Sequence, residues 1–425
     1  MDWLARWARD RPHAPFLIDG SRVVDFAAAS ERIGRISGSL SETMEPGSRV
    51  GVVAHPTIDV LLTLLAVPLA RMVLVPLPAS GAAPDSLADL TIVGPDDLGD
   101  GPTRVFDAHL SETACAIFTS GSTGDSRAVR LTWANIEASA AASASHLDHR
   151  SDDRWLAVLP FHHVGGLSIL WRSAREGSAV VLGGGFEATR TAAVLRTGGI
   201  TLASFVSSML ETLADMDIGE VPGFRLGLVG GGPASERALG VGGMCLLPTY
   251  GMTETASQIA TADPADPRPD RLVPLDGVAL DIGDDQRIVV DGPMVSPGDL
   301  DGPDRGGPLV TGDLGRVNGG LLEVLGRADN VIVTGGENVM AERVERIVAL
   351  VEGAGQVAVV GLADDRWGSV VAAAYTGHAD PEALLTALEG RLGRHEMPRR
   401  WLRVDALPTL GIGKVDRGAV QSMFG

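Results

Sequence analysis

The stretch TSGSTGDSRAVR, from Thr119 to Arg130, decides how the rest of the sequence is interpreted. It follows the apolar run Ala114–Phe118, which has the length of a buried strand, and precedes Leu131–Ile136, which can open a helix. A loop rich in glycine and hydroxyl residues after a buried strand can direct several backbone N–H groups toward one phosphate. Neither G-x-x-x-x-G-K-[ST] nor G-x-G-x-x-G is present, so composition alone also allows a flexible linker.

Composition and charge restrict the classes of protein to which the chain can belong. Its 425 residues exceed one ordinary core, so two or three domains are expected. A net charge of −19 repels nucleic acid. Cys115 and Cys245 stand alone in apolar runs, which indicates no disulfide framework and favours the reducing cytoplasm. The longest apolar stretch, residues 60–70, is too short for membrane insertion. A homodimer is left open.

Hydrophobic periodicity divides the chain into a large first part and a small last part. Helical and strand-like segments alternate over residues 19–78 and again over 151–233, which is typical of βαβ units around a parallel sheet. Residues 260–326 show the short apolar pairs of a small β barrel or sandwich. The sequence therefore predicts an α/β protein: an N-terminal domain over 1–326, made of stacked parallel-type αβ subdomains plus a small β barrel, and an α+β domain over 330–425.

Short motifs rich in glycine and charged residues follow one another along the whole chain. They read TSGSTGDSR (119–127), LPFHHVGG (159–166), GGGPAS (230–235), YGMTE (250–254), TGD (311–313), GRADNVIVTGGENV (326–339) and GIGKVDR (411–417). In this order they resemble the adenylate-forming superfamily of acyl-CoA synthetases, luciferases and nonribosomal adenylation domains. The resemblance implies that a carboxylic acid reacts with ATP and Mg²⁺ to give acyl-AMP and pyrophosphate, and that CoA then displaces AMP.

The resemblance also assigns residues to parts of the nucleotide. The β and γ phosphates fall to Thr119, Ser120, Gly121, Ser122, Thr123, Gly124 and Arg127. The adenine slot falls to Gly230, Gly231, Gly232, Pro233, Tyr250 and Gly251, with Met252 and Thr253 adjoining it, and the ribose to Asp313 and Arg327. Glu254 matches the magnesium ligand, although a helix cap formed by Thr253 and a nearby acid is an alternative. Arg127 stands where most relatives have lysine, which keeps the charge but changes its shape.

The last part of the chain supplies the catalytic lysine and the CoA site in relatives. Lys414 matches the lysine that contacts the carboxylate and the α-phosphate, although an isolated lysine is usually a surface residue. The resemblance implies that the C-terminal domain is mobile and turns about a hinge at 327–329, with Asp329 as its pivot. Gly335, Gly336 and Glu337 then line the pantetheine tunnel. Catalysis is thus expected from Lys414, Glu254, Arg127 and His163.

The acyl substrate is suggested by the segments HVGGLSILWR (163–172) and YGMTETASQI (250–259). They look most like those of the o-succinylbenzoate–CoA ligases of menaquinone biosynthesis, in which His163 would gate the acyl pocket. Such a substrate carries a second carboxylate, which requires a cation or several donors. Arg172, assisted by Ser204, Ser207 or Ser208, is the candidate, and a helix-surface arginine is the alternative. Another aryl or medium-chain acyl-CoA ligase, an adenylation enzyme that loads a carrier protein, and a degenerate nucleotide-binding regulator also remain open.

Overall fold

The computed structural model describes residues 3–80, 88–94, 97, 101–104, 109–120, 126–197, 199–232, 235–410 and 414–425. Most of the chain's helices lie in its first part. They are α1 (Trp3–Asp10), α2 (Phe26–Thr43), α3 (Ile58–Leu69), α4 (Trp133–Leu147), α5 (Val164–Glu176), α6 (Ala188–Arg196), α7 (Ser207–Asp215), α8 (Glu236–Leu239), α9 (Ala341–Ala349), α10 (Pro381–Leu388) and α11 (Arg417–Ser422). Within these ranges, no helix combines the length and the apolar character that a membrane crossing requires.

The strands of the first part form two sheets. They are β1 (Pro15–Asp19), β2 (Arg22–Asp25), β3 (Arg49–Val53), β4 (Val73–Leu77), β5 (Leu90–Ile92), β6 (Thr113–Ser120), β7 (Ser126–Thr132), β8 (Arg154–Ala157), β9 (Ala179–Leu182), β10 (Leu202–Val206), β11 (Leu226–Gly230), β12 (Leu246–Met252), β13 (Ser257–Ala262), β14 (Leu272–Pro274), β15 (Ala279–Ile282), β16 (Arg287–Asp291), β17 (Gly298–Asp299), β18 (Leu309–Asn318) and β19 (Leu321–Arg327).

The strands after residue 330 form three further sheets. They are β20 (Val331–Thr334), β21 (Glu337–Met340), β22 (Val357–Asp364), β23 (Gly368–Tyr375), β24 (Arg400–Arg403), β25 (Thr409–Leu410) and β26 (Lys414–Val415). Strands β22, β23 and β24 pair in one sheet, whereas β20 with β21 and β25 with β26 form two-stranded ladders.

The smaller sheet of the first part carries the glycine-rich stretch. Its order is β17-β7-β6-β4-β3-β5, with β3, β4, β5 and β6 parallel and β7 antiparallel to β6. The helix that we expected to open within Leu131–Ile136 is confirmed, but a strand that we did not predict precedes it. Strand β7 comes first, with Thr119 opposite Arg127, and α4 begins only at Trp133. The run Ala128–Leu131 is buried except at Arg130 because it pairs along β6, so the loop joins a β hairpin.

The larger sheet has thirteen strands and joins the two kinds of β structure expected from the sequence. Strands β9, β8, β10, β11 and β12 are parallel neighbours, which confirms the predicted α/β class. From β12 onward the neighbours β13, β14, β19, β18, β16 and β15 are antiparallel. The expected small barrel over residues 260–326 is thus an antiparallel array that continues the large sheet in an open order.

The core of the first part is built around helix α3, whose residues are almost all buried. Thr57 caps its N-terminus by accepting the backbone N–H of Val60, and Asp25 does the same for α2 through Ala28. Helix α2 packs against α3, where the Ser37 hydroxyl donates to the carbonyl of Ala66. Helix α3 in turn packs on β3, β4 and β6 of the smaller sheet.

Residues after 330 have hydrophobic clusters of their own. Val344 and Val348 of α9 pack with Ile332 and Val359, and both clusters of this part contain only residues beyond 330. A buried ion pair joins α9 to the chain's end, because Arg417 binds Glu345 and donates to the Val359 carbonyl at 2.6 Å. The exact division at 327–329 stays a prediction.

The burial of His149 is expected to make the free energy of unfolding depend on pH. It lies buried after α4, where its Nε2 bonds Ser178 Oγ at 2.8 Å and its ring packs on Trp155. Burial lowers the pKa of His149 from 6.5 to about 4. The unfolded chain therefore takes up the proton first as the pH falls. Between these two values the free energy of unfolding should drop with falling pH by up to about 3 kcal/mol from this residue.

Urea unfolding at pH 7 and pH 4.5 measures this effect, and His149→Gln should lose part of the pH dependence that the unchanged protein shows. His395→Gln is the matched control, because that side chain is exposed in the C-terminal part. An equal pH dependence in the unchanged protein and His149→Gln would contradict the prediction.

Candidate active site

A cleft of 740 Å³ opens where β11, β12 and β6 end and β18 passes over them. Thirteen of the side chains and glycines expected from the sequence converge on it. Those that line it are Thr119, Arg127, His163, Arg172, Ser204, Gly230, Gly231, Gly251, Met252, Thr253, Glu254, Asp313 and Arg327. Segments separated by up to two hundred residues in the sequence therefore face one cavity.

Two glycines of the cleft wall are required by the backbone itself. Gly231 follows β11 with φ of 79°, a left-handed conformation that glycine adopts without strain. Gly251 lies at an irregularity between β12 and β13, where a Cβ would stand 2.0 Å from the Ser257 carbonyl oxygen. Any side chain at 251 would push the two strands apart. These positions keep a flat, narrow part of the cleft free of side chains.

A chain of polar contacts crosses from β12 to the last residues of β19. The Tyr250 hydroxyl donates to Asp313 Oδ2 at 2.8 Å, and Arg327 Nη1 lies 3.5 Å from Asp313 Oδ1. Arg327 also binds Asp329 through Nε at 2.9 Å and Nη2 at 3.0 Å. Burial, followed by the Asp313 charge, raises the pKa of Tyr250, so its hydroxyl stays a donor. The carboxylate of Asp313 is therefore held in one orientation at the cleft surface.

Arg127 and Glu254 form an ion pair across the cleft floor. Glu254 lies in the short turn Thr253–Thr255, and its backbone carbonyl accepts the Ser296 N–H at 2.8 Å. Its side chain is 12 % exposed, whereas that of Arg127 is 49 % exposed and therefore freer to move. The pair places a positive charge and a carboxylate side by side next to the loop 121–125.

Arg172 is the most unusual charge in the protein. It lies on α5 with only 2 % of its surface exposed, above the Trp155 ring, and its Nη2 donates to Ser257 Oγ at 3.0 Å. Its Nε has no hydrogen-bond partner, and within the described part of the chain no carboxylate pairs with it. Burial lowers its pKa to about 9, so it is charged at neutral pH. The alternative of a helix-surface arginine is wrong.

The two histidines of the PFHHVGG segment stack at the start of α5. Their ring centroids are 4.1 Å apart, and His163 lines the cleft directly before α5. Burial, with a small contribution from His163, lowers the pKa of His162 to about 4, and burial also lowers that of His163. Both rings are therefore neutral at neutral pH, and the His163 ring forms part of the cleft wall.

Several expected site residues lie elsewhere. Ser207 starts α7 and donates to the Gly232 carbonyl at 3.3 Å, just beside the cleft. Gly335, Gly336 and Glu337 form the turn between β20 and β21, where the Gly335 N–H donates to the Trp367 carbonyl. Gly121, Ser122, Thr123, Gly124 and Pro233 lie outside the described residues, as do the side chains of Ser120 and Lys414.

Gln258 and Arg305 are among the cleft residues that were missed from the sequence. Gln258 is buried on β13 beside Ser257, and its Oε1 has no partner although its amide nitrogen donates to Thr261. Its position four residues after Glu254, within the segment YGMTETASQI, was an available signal. Arg305 also lines the cleft. It lies in a loop of Asp, Gly and Pro residues, where no periodicity marks it.

Comparison with known proteins agrees with this geometry. Residues 79–299 match the family described as AMP-binding enzyme, and residues 343–414 match the AMP-binding enzyme C-terminal domain. The chain belongs to the AMP-binding enzyme family.

Among its relatives are two 2-succinylbenzoate–CoA ligases. The protein from Listeria monocytogenes serotype 4b is 36 % identical over 330 residues, which cover 73 % of this chain and 70 % of that protein. The protein from Bacillus anthracis is 36 % identical over 326 residues, which cover 70 % and 67 %.

Solved structures are similar to this protein over nearly its whole length. The o-succinylbenzoate CoA synthetase of Bacillus subtilis, in complex with its acyl-adenylate intermediate, has a TM-score of 0.86 at 26 % identity, covering 99 % of this chain and 98 % of that one. ATP-bound MatB from Rhodopseudomonas palustris has a TM-score of 0.89 at 22 % identity, covering 100 % and 98 %, and shares the fold.

The link between Tyr250 and Asp313 leads to a binding prediction. Tyr250→Phe removes the hydroxyl that orients Asp313, so the affinity for AMP should fall roughly tenfold, as expected for one hydrogen bond to a charged group. Isothermal titration calorimetry with AMP measures it. Tyr375→Phe is the matched control, because the Tyr375 hydroxyl donates to the Ala379 carbonyl in the C-terminal part. Equal AMP affinities for the two variants would contradict the prediction.

Proposed function

We propose that this chain is an ATP-dependent acid–CoA ligase that acts on o-succinylbenzoate, also called 2-succinylbenzoate. The substrate carboxylate attacks the α-phosphorus of ATP, the bond to the β-phosphate oxygen breaks, and pyrophosphate leaves with the electron pair. The thiol of CoA then attacks the acyl carbon and AMP leaves. The family membership and the two ligase relatives support this reaction, and we place it in the cytoplasm.

The nucleotide roles that we propose are those implied by the family resemblance, and the shared cleft supports them. Asp313 and Arg327 receive the ribose, Gly230, Gly231 and Gly251 flank the adenine, and Arg127 with the loop before it receives the phosphates. Each of these residues lines the cleft. Holding both anions in one site converts a collision between two molecules into a positioned reaction, which lowers the entropic part of the barrier. Cations around the phosphates offset the repulsion between the attacking carboxylate and ATP.

Glu254 suits a magnesium ion. It offers a carboxylate at the cleft surface, and Mg²⁺ in nucleotide sites takes one or two protein carboxylates and completes its shell with phosphate oxygens and water. When bound, the ion neutralises phosphate charge. Arg127, paired with Glu254 in this structure, would then be free to bind phosphate itself.

The choice of acid depends on one observation: Arg172 is buried, and no carboxylate among the described residues pairs with it. A buried guanidinium without a counter-charge is costly, and a ligand carboxylate would offset that cost. The Arg172 Nε is a buried donor without a partner and could donate to such a carboxylate, whereas the unpartnered Gln258 Oε1 beside it is an acceptor and could not. Ser204 is occupied by the Trp155 Nε1 at 3.2 Å and serves to hold the ring beneath the arginine. A monocarboxylic acid would leave the Arg172 charge unmatched, whereas o-succinylbenzoate brings a second carboxylate.

Lys414 is proposed as the catalytic lysine of the first step. It is the only lysine of the chain, in which all other basic residues besides histidine are arginine. Its strand β26 pairs with β25, and Asp416 caps α11 two residues later. We further propose that the domain beyond 327–329 turns about Asp329, after which Gly335, Gly336 and Glu337 face the thiol of CoA.

A panel of acids tests the proposed function. AMP formation should be fastest with o-succinylbenzoate, ATP, Mg²⁺ and CoA together. A preference for benzoate or octanoate would favour the general acyl-CoA ligase, and transfer to a holo carrier protein but not to CoA would favour the carrier-loading enzyme. Absence of pyrophosphate release with every acid would leave only a nucleotide-binding regulator.

Variants at Arg172 test whether this residue binds the second carboxylate of the substrate. Arg172→Lys retains a charge and Arg172→Met removes it. The methionine variant should raise KM for o-succinylbenzoate by a factor of about 100, as expected when a buried charged hydrogen bond is lost, with KM for ATP changed less than threefold. The control is the corresponding acid without its second carboxylate, whose KM should change little. An equal rise in KM for both acids would contradict the proposed contact with the second carboxylate and would indicate a structural role for Arg172.

Replacing Lys414 separates the two half reactions. Lys414→Ala should slow acyl-AMP formation roughly 100-fold, while thioester formation from supplied acyl-AMP stays within a few-fold, because the lysine contacts only the first transition state. Lys414→Arg is the companion variant and tests whether charge alone suffices. Pyrophosphate release and acyl-CoA formation are followed separately. Equal slowing of both half reactions would contradict the assignment.

A further inference from the structure

Arg305 is a cleft residue with no assigned role. It lies in the loop between β17 and β18, where its backbone N–H donates to the Pro297 carbonyl at 2.5 Å. Its Nε lies 3.5 Å from the Ser296 carbonyl oxygen, the outer limit of a hydrogen bond. The side chain is half-buried and lines the cavity. The guanidinium thus has most of its donors free.

The loop that carries Arg305 is firmly attached to the phosphate side of the cleft. Strand β17 pairs with β7, with Gly298 opposite Arg130, so the loop begins on the strand that follows residues 121–125. Asp304 forms an ion pair with Arg130 and Asp301 forms one with Arg49. Its acidic residues are therefore directed outward, toward other arginines, while Arg305 is directed into the cavity.

The same segment is bonded to the turn that carries Glu254. The Ser296 N–H donates to the Glu254 carbonyl, and the Ser296 hydroxyl donates to the Arg130 carbonyl at 2.7 Å. Arg305 contacts the carbonyl of this same Ser296. One residue therefore links Arg305, Glu254 and β7, which brings the guanidinium to the part of the cleft where the ATP phosphates are proposed to bind.

The charges that line the cleft leave Arg305 without a counter-charge. They are Arg127, Arg172, Glu254, Arg305, Asp313 and Arg327. Arg127 is paired with Glu254 and Arg327 with Asp313. Among the residues that the structure describes, no carboxylate pairs with Arg172 or Arg305. In a chain with a net charge of −19, these two cations create local positive potential at two separate places.

We propose that Arg305 binds the β and γ phosphates of ATP and holds pyrophosphate as it leaves. This rests on the proposed ligase reaction. A guanidinium offers two parallel N–H donors to phosphate oxygens, a geometry that favours arginine at phosphate sites. As the bond between the α-phosphorus and the bridging oxygen breaks, the electron pair and the negative charge pass to pyrophosphate, next to Arg305. Arg172, on α5, remains for the acid.

Binding of three ligands tests the proposal, because only two of them carry the phosphates concerned. Arg305→Ala should weaken ATP and inorganic pyrophosphate roughly tenfold and leave AMP unchanged, as measured by isothermal titration calorimetry. KM should rise for ATP and stay unchanged for the acid and CoA. Arg305→Lys should recover part of the ATP affinity, since it restores the charge without the fork.

Arg316→Ala is the matched control, because Arg316 is exposed on β18 and does not line the cleft. It should bind all three ligands as the unchanged protein does. Unchanged ATP affinity in a folded Arg305→Ala protein, or an equal loss for ATP and AMP, would overturn the proposal. Those results would leave the ligase function standing if the unchanged protein still forms acyl-CoA. If Arg305→Ala selectively loses ATP affinity but the unchanged protein forms no acyl-CoA with any acid, the phosphate-binding role of Arg305 would be supported and the ligase function rejected.

Discussion

Strand β12 is the constraint on which the cleft depends, because its two edges belong to different kinds of sheet. One edge is parallel to β11 and ends beside Gly230, and the other is antiparallel to β13. Three strands separate β12 from β18 in the sheet order, a distance of about 19 Å if the sheet were flat. The hydrogen bond of 2.8 Å between Tyr250 and Asp313 shows that the sheet curls back on itself. The cavity is the space inside this curl.

Charge is distributed in the cleft according to the function proposed for each part. Where a carboxylate and an arginine both serve the nucleotide, they neutralise each other in this structure, as Glu254 and Asp313 do with Arg127 and Arg327. Where a ligand must supply the negative charge, the arginine stands without a carboxylate, as Arg172 does. An acidic protein can in this way attract anions to one cavity without being basic overall.

The sequence predicted the α/β class and thirteen of the residues that line the cleft, because a loop after a parallel strand faces the same edge as its neighbours' loops. It also predicted a helix that opens within Leu131–Ile136, but it did not predict strand β7, since a stretch rich in glycine and serine is typical of a loop. The burial of Arg172 was undecided, because both faces of α5 contain small residues and only packing shows that its guanidinium lies above Trp155. Arg305 had no signal, since its position depends on ion pairs between residues far apart in the sequence.

Arg327 divides one guanidinium between two carboxylates, Asp313 in the cleft and Asp329 at the proposed pivot. Rotation of the backbone at 329 must therefore change the angle at which Arg327 meets Asp313. Under our proposal that the C-terminal part turns about Asp329, this single side chain would couple that rotation to the carboxylate proposed to bind the ribose.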